Sequence, residues 1–81
     1  MRAKLTTRIP PEEFRRLLGK RIRERRTQLG THQMAFAIAN GFHPSMLSRI
    51  ETGLSDMTLQ RASDLARALG WTLEEMMEGL L

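Results

Sequence analysis

The stretch Gln33-Met34-Ala35-Phe36-Ala37-Ile38-Ala39-Asn40-Gly41-Phe42-His43-Pro44-Ser45-Met46-Leu47-Ser48-Arg49-Ile50-Glu51-Thr52 decides how this chain folds. It reads as two short helices joined by a tight turn. The first should run from about Gln33 to Asn40, with Met34, Phe36, Ala37 and Ile38 as its apolar residues. Its alanines let a neighbouring helix come close. Asn40-Gly41 is a stop signal, because both residue types tolerate positive φ, and a Cβ at Gly41 would add strain. Pro44 suits the first position of the next helix, with His43 before it as cap. Leu47 and Ile50 are spaced to face inward. That leaves His43, Pro44, Ser45, Met46, Arg49 and Thr52 turned outward.

Upstream, Pro10-Pro11-Glu12-Glu13 reads as a helix start, with proline and acids in the first turn. This helix should reach about Leu29 and stop at Gly30. Phe14, Leu18, Ile22 and Leu29 share one face, which Arg25 and Arg26 complete. Downstream, Thr58 caps a helix whose inner face is Leu59, Ala62, Leu65, Ala66 and Leu69, and Gly70 ends it. Thr72 and Glu75 have capping-box spacing for a short fifth helix, from Leu73 to about Leu80. No segment carries a credible strand pattern. The expected fold class is therefore all-α, a five-helix bundle built around a helix-turn-helix unit at residues 33–52. Residues 1–9 read as a flexible basic arm and 10–81 as one domain.

Composition narrows the possible roles. Eighty-one residues, 41% hydrophobic and 27% charged, suit one globular domain. With no cysteine there is no disulfide and no thiolate metal site. His32 and His43 have no partners at metal-ligand spacing, so neither a metal nor a cofactor is expected. Tyrosine is absent too, and there is no nucleophile–base pair and no phosphate-cradling glycine loop. An enzyme is not expected. No apolar run approaches the ~20 residues that span a bilayer. Met1 to Ile9 is basic and polar, without a signal-peptide core, which points to a cytoplasmic protein. Charge is unevenly distributed: residues 1–26 hold ten basic and three acidic residues, and residues 27–81 hold three and six. The basic end suits a polyanion, or is simply a solvated helix face.

Several residues in fixed register carry a resemblance. They are Leu18-Gly19-Lys20-Arg21-Ile22-Arg23-Glu24-Arg25-Arg26, Gly30, Gln33, Ala37, Gly41, Leu47-Ser48-Arg49-Ile50-Glu51-Thr52-Gly53, Leu59 and Leu65-Ala66-Arg67-Ala68-Leu69-Gly70. In this order and spacing the chain resembles the phage-repressor-like (lambda repressor-like, XRE) helix-turn-helix family, which includes the controller proteins of restriction–modification systems. The resemblance covers about Leu18 to Leu80. It implies a double-stranded DNA partner, with the helix after Gly41 lying in the major groove. It also implies that Gln33 binds a phosphate, although the amide can instead support a side chain of the recognition helix. Arg26 and Glu51 resemble the family's ion pair between helices, a structural element. The chain departs from the pattern in three places. The loop Leu54-Ser55-Asp56-Met57 lacks basic residues, Pro44 replaces a residue that often reads a base, and Asn40 stands where a small or apolar residue is common.

The chemistry of the outward residues suggests their roles. Ser45 can bond several base edges, and Met46 offers an apolar contact to a thymine methyl. Arg49 can bond guanine O6 and N7 together, or else clamp a phosphate. His43, Thr52 and Arg21 are further phosphate candidates, with His43 alternatively a plain cap. The arm could follow the duplex or reach a minor groove, or have no role. Trp71, Leu73, Met76, Met77, Leu80 and Leu81 are together too apolar for a free surface. Part of this segment should cover the core. The remainder, with Trp71, Met76, Met77 and Leu80 as candidates, would join two copies into a homodimer reading a near-palindrome through helices about 34 Å apart. The expected function is sequence-specific regulation of transcription. The alternative is an antitoxin that binds a toxin and represses its own operon.

Overall fold

Prolines, threonines and glycines punctuate the described residues into five helices. In the computed structural model, residues 9–80 are described. The helices are α1 (Pro11–Gln28), α2 (Gln33–Ala39), α3 (Pro44–Glu51), α4 (Leu59–Ala68) and α5 (Leu73–Met77). The first four end within about one residue of expectation; α5 is shorter than the sequence suggests. Residues 1–8, all but the last residue of the expected 1–9 basic arm, and Leu81 lie outside the described residues.

Local chemistry sets the boundaries. Pro11 opens α1 with Glu12 and Glu13 in its first turn. The Thr58 hydroxyl accepts from the Arg61 N–H at 3.0 Å. At α5 the reciprocal pair forms: the Glu75 N–H donates to Thr72 Oγ1 at 3.0 Å, and the Thr72 N–H donates to Glu75 Oε1 at 2.8 Å. His43 stands at the N-cap of α3, as expected, but its side chain makes no capping bond.

The turn between α2 and α3 depends on Gly41, whose φ of +75° is strained for a residue with a Cβ. Two backbone bonds close it: Gly41 N–H to Ile38 C=O at 3.2 Å and Phe42 N–H to Ala37 C=O at 2.8 Å. The Phe36 and Phe42 rings then meet with centroids 6.4 Å apart, the apolar contact that commonly seals such a turn. Asn40 is accommodated because its side-chain amide donates to the Phe36 carbonyl at 2.9 Å and stays exposed.

The core joins Leu18 and Ile22 of α1 to Phe36, Ala37, Phe42, Leu47, Ile50, Ala62, Leu65, Ala66, Leu69, Met76 and Leu80. Helices α1 and α3 are in close contact at Gly19. A Cβ there would lie 2.4 Å from the Ile50 carbonyl oxygen and 2.7 Å from that of Glu51.

Four expectations about packing are corrected. Leu29 is 48% exposed, because the seam of α1 is taken over at that level by Arg26. Leu59 is 79% exposed, since the buried stripe of α4 begins one turn later at Ala62. Met76 is wholly buried and Leu80 nearly so, because α5 folds its own apolar face onto the bundle. They are core residues of a single chain and cannot serve as surface contacts to a second copy. Of the four dimer candidates, Trp71 and Met77 remain half-exposed.

The arginines of α1 explain much of the chain's basic balance, and they do so structurally. Arg21 donates to the carbonyls of Met76, at 3.2 Å, and Glu78, at the end of α5. Arg25 donates from Nε to the Leu69 carbonyl at 2.9 Å and stacks over Trp71 at 5.1 Å. Arg26 reaches the Thr31 carbonyl at 2.8 Å. Helix ends leave carbonyls without partners, and a guanidinium has donors enough to satisfy them. Both Arg21 bonds leave from Nη1, so Nε and Nη2 keep donors for the expected phosphate contact.

Candidate nucleic-acid interface

The register of α3 divides its side chains cleanly. Leu47, Ile50 and Glu51 are buried, while Ser45, Arg49 and Thr52, spaced four and three residues apart, are exposed along one face. His43 is exposed at its N-terminal end. Met46 is half-buried and packs against the core, so it sits at the edge of this face.

A buried polar cluster holds α3 in place. Arg26 Nε and Nη2 donate to Glu51 Oε2 and Oε1 at 2.7 and 2.9 Å. The side chains are 9% and 1% exposed. The hydrogen bond that Arg26 donates to Glu51, opposed by burial and aided by the carboxylate's charge, raises the Arg26 pKa above the usual guanidinium value. Gln33 Nε2 also donates to Glu51 Oε1, at 2.9 Å. The first turn of α2, the last turn of α3 and the late part of α1 are thus fastened through one carboxylate. This is the supporting role for Gln33 that the sequence left open beside phosphate binding. The second N–H of its amide has no partner among the described residues.

The outward residues differ in what they can still offer. Arg49 donates from Nε to Ser55 Oγ at 3.0 Å. That bond directs the guanidinium while leaving both terminal nitrogens available to an end-on bidentate acceptor. Ser55 therefore belongs to the interface, although sequence reading noticed the loop only for its missing bases. Asp56, in the same loop, is paired with Arg15 on α1 at 3.3 Å. The Thr52 hydroxyl donates back to the Ser48 and Arg49 carbonyls at 2.9 and 3.2 Å, so it keeps no proton for a phosphate. Ser45 Oγ lies 2.9 Å from His43 Nδ1.

Two short helices joined by a glycine turn, the second rigidly held with one polar face outward, define a helix-turn-helix domain, a DNA-binding class of protein. The chain matches the family model described as "Helix-turn-helix domain" over residues 17–78 and belongs to that family. No curated protein matches the chain. Among the described residues no helix is long and apolar enough to cross a membrane.

Proposed function

We propose that this protein is a cytoplasmic, homodimeric regulator of transcription that reads a near-palindromic operator in the major groove. The observation that carries the reading is the exposed Ser45–Arg49 face of α3, held outward by the buried Arg26–Glu51–Gln33 cluster. Arg49 is the principal base reader, its free terminal nitrogens matching guanine O6 and N7. The second amide N–H of Gln33 serves a phosphate beside the groove, and Met46 contributes apolar contact from the edge.

A homodimer needs a surface other than Met76 and Leu80. An apolar groove of about 640 Å³ between α1, α4 and α5, lined by Phe14, Met57, Leu59, Leu73 and Met77, supplies a candidate. The antitoxin reading is favoured by a separate feature, the exposed Met34 and Ile38 one turn apart on α2. Those residues would suit an apolar protein partner.

Selection of bound fragments from a random duplex pool, with sedimentation of the protein alone, tests the proposal. A symmetric consensus and a dimer are the expected results. No enrichment of any sequence would overturn it. Arg49→Ala should weaken binding to the selected site by about 1–3 kcal/mol with no change in melting temperature. An unchanged affinity would remove Arg49 from base reading. Affinity should also fall steeply as salt rises, since neutralised phosphates release counterions. Because Arg26 is buried against Glu51, and Arg25 is turned onto the Leu69 carbonyl and the Trp71 ring, their substitution should leave the slope of that titration unchanged in variants that remain folded.

A further inference from the structure

We infer that His43 is a specificity-determining positioning residue: its ring sets whether the Ser45 hydroxyl presents a donor or an acceptor to a base. The inference rests on the proposed DNA reading of α3. Its basis is the 2.9 Å contact between Ser45 Oγ and His43 Nδ1, both exposed at the start of that helix.

A serine hydroxyl has one proton and can otherwise only accept. When Nδ1 is unprotonated, Ser45 donates its proton to the ring, and Oγ offers lone pairs to an exocyclic amine, adenine N6 or cytosine N4. This tautomer carries its proton on Nε2, and a phosphate accepting from Nε2 holds it there. When the imidazole is protonated, Nδ1–H donates to Oγ. The serine proton is then released toward an acceptor, such as guanine O6 or thymine O4. One side chain thus reads two different groove patterns.

Helix α2 contributes no titratable side chain. Across the Gly41–Phe42 turn, Arg61, Asp64 and Arg67 of α4 border a hollow, with Arg61 over the Phe42 ring. On α3 itself, Arg49 is bonded to Ser55, and Glu51 is buried against Arg26.

The test is fragment selection from a random duplex pool at about pH 5.5 and about pH 8, a range over which imidazole changes charge. The full chain, His43→Asn, Ser45→Ala and His32→Asn are compared. For the full chain and for His32→Asn, preference at one base pair of each half-site should move at least about fivefold from amine-bearing toward carbonyl-bearing bases as pH falls. His43→Asn should keep a preference there that no longer depends on pH. Ser45→Ala should lose it at both pH values. The inference is overturned if a consensus is obtained that is the same at both pH values, or if the pH effect survives in His43→Asn. Absence of any enriched sequence overturns the DNA reading itself, which distinguishes the two failures.

Discussion

Arg26→Ala is expected to lower stability by about 3–5 kcal/mol, the usual cost of removing one partner from a buried ion pair. The Glu51 carboxylate, its side chain 1% exposed, would keep only the Gln33 amide as partner. The Thr31 carbonyl would lose its donor as well. A domain of this size has about 5–10 kcal/mol of stability in total, so the variant should be close to unfolding at 25 °C. Urea denaturation followed by circular dichroism checks this. A midpoint within error of the parent would show that the pair is hydrated and worth little. The double variant Arg26→Met/Glu51→Met should be less destabilised than Arg26→Ala, because no lone charge remains. DNA affinity should fall with Arg26→Ala even where the variant is folded, since the end of α3 loses its anchor.

Gly19→Ala is expected to be the other severe change. The added methyl would meet the backbone of Ile50 and Glu51 at 2.4 and 2.7 Å, and backbone cannot rotate away as a side chain can. Overpacking of this kind costs about 1–3 kcal/mol, occasionally more. Alanine's better helix propensity returns about 1 kcal/mol. The net result should be a loss of up to about 2 kcal/mol, with α3 displaced from α1. A variant with unaltered melting temperature would mean that the two helices do not touch at that level. The displacement should also weaken operator binding by more than the stability loss explains, because it tilts Ser45 and Arg49 together.

What the sequence disclosed, and what it withheld, follows from range. Pro11, Gly41, Thr58 and the Thr72–Glu75 pair act on their own neighbours, so helix boundaries and the central turn were legible from spacing. The Arg26–Glu51 pair came from its place in a familiar register. The internal partners of Arg21 and Arg25 went unread because the carbonyls they satisfy lie 55 and 44 residues away. Counting charges cannot reveal such partners. Leu29 and Leu59 fit the helical period yet lie at the edges of the bundle, where nothing covers them. Periodicity shows which face a residue occupies and not whether a neighbour reaches it. Gly19 had a signal that passed unused: a glycine within a helix costs about 1 kcal/mol against alanine and marks a place where something must come close. The Ser55 contact to Arg49 and the His43 contact to Ser45 depend on side-chain directions that no pattern in the chain announces.

The bond from Arg21 to the end of α5 also bears on how the protein is made. A ribosome delivers α1, with its arginines, long before Met76 and Glu78 exist to receive them. Until then α1 and α4 lack the helix that packs against both, and the nascent polypeptide shows oily surface to whatever is nearby. Closure of the bundle over α1 and α4 therefore waits until α5 has been made.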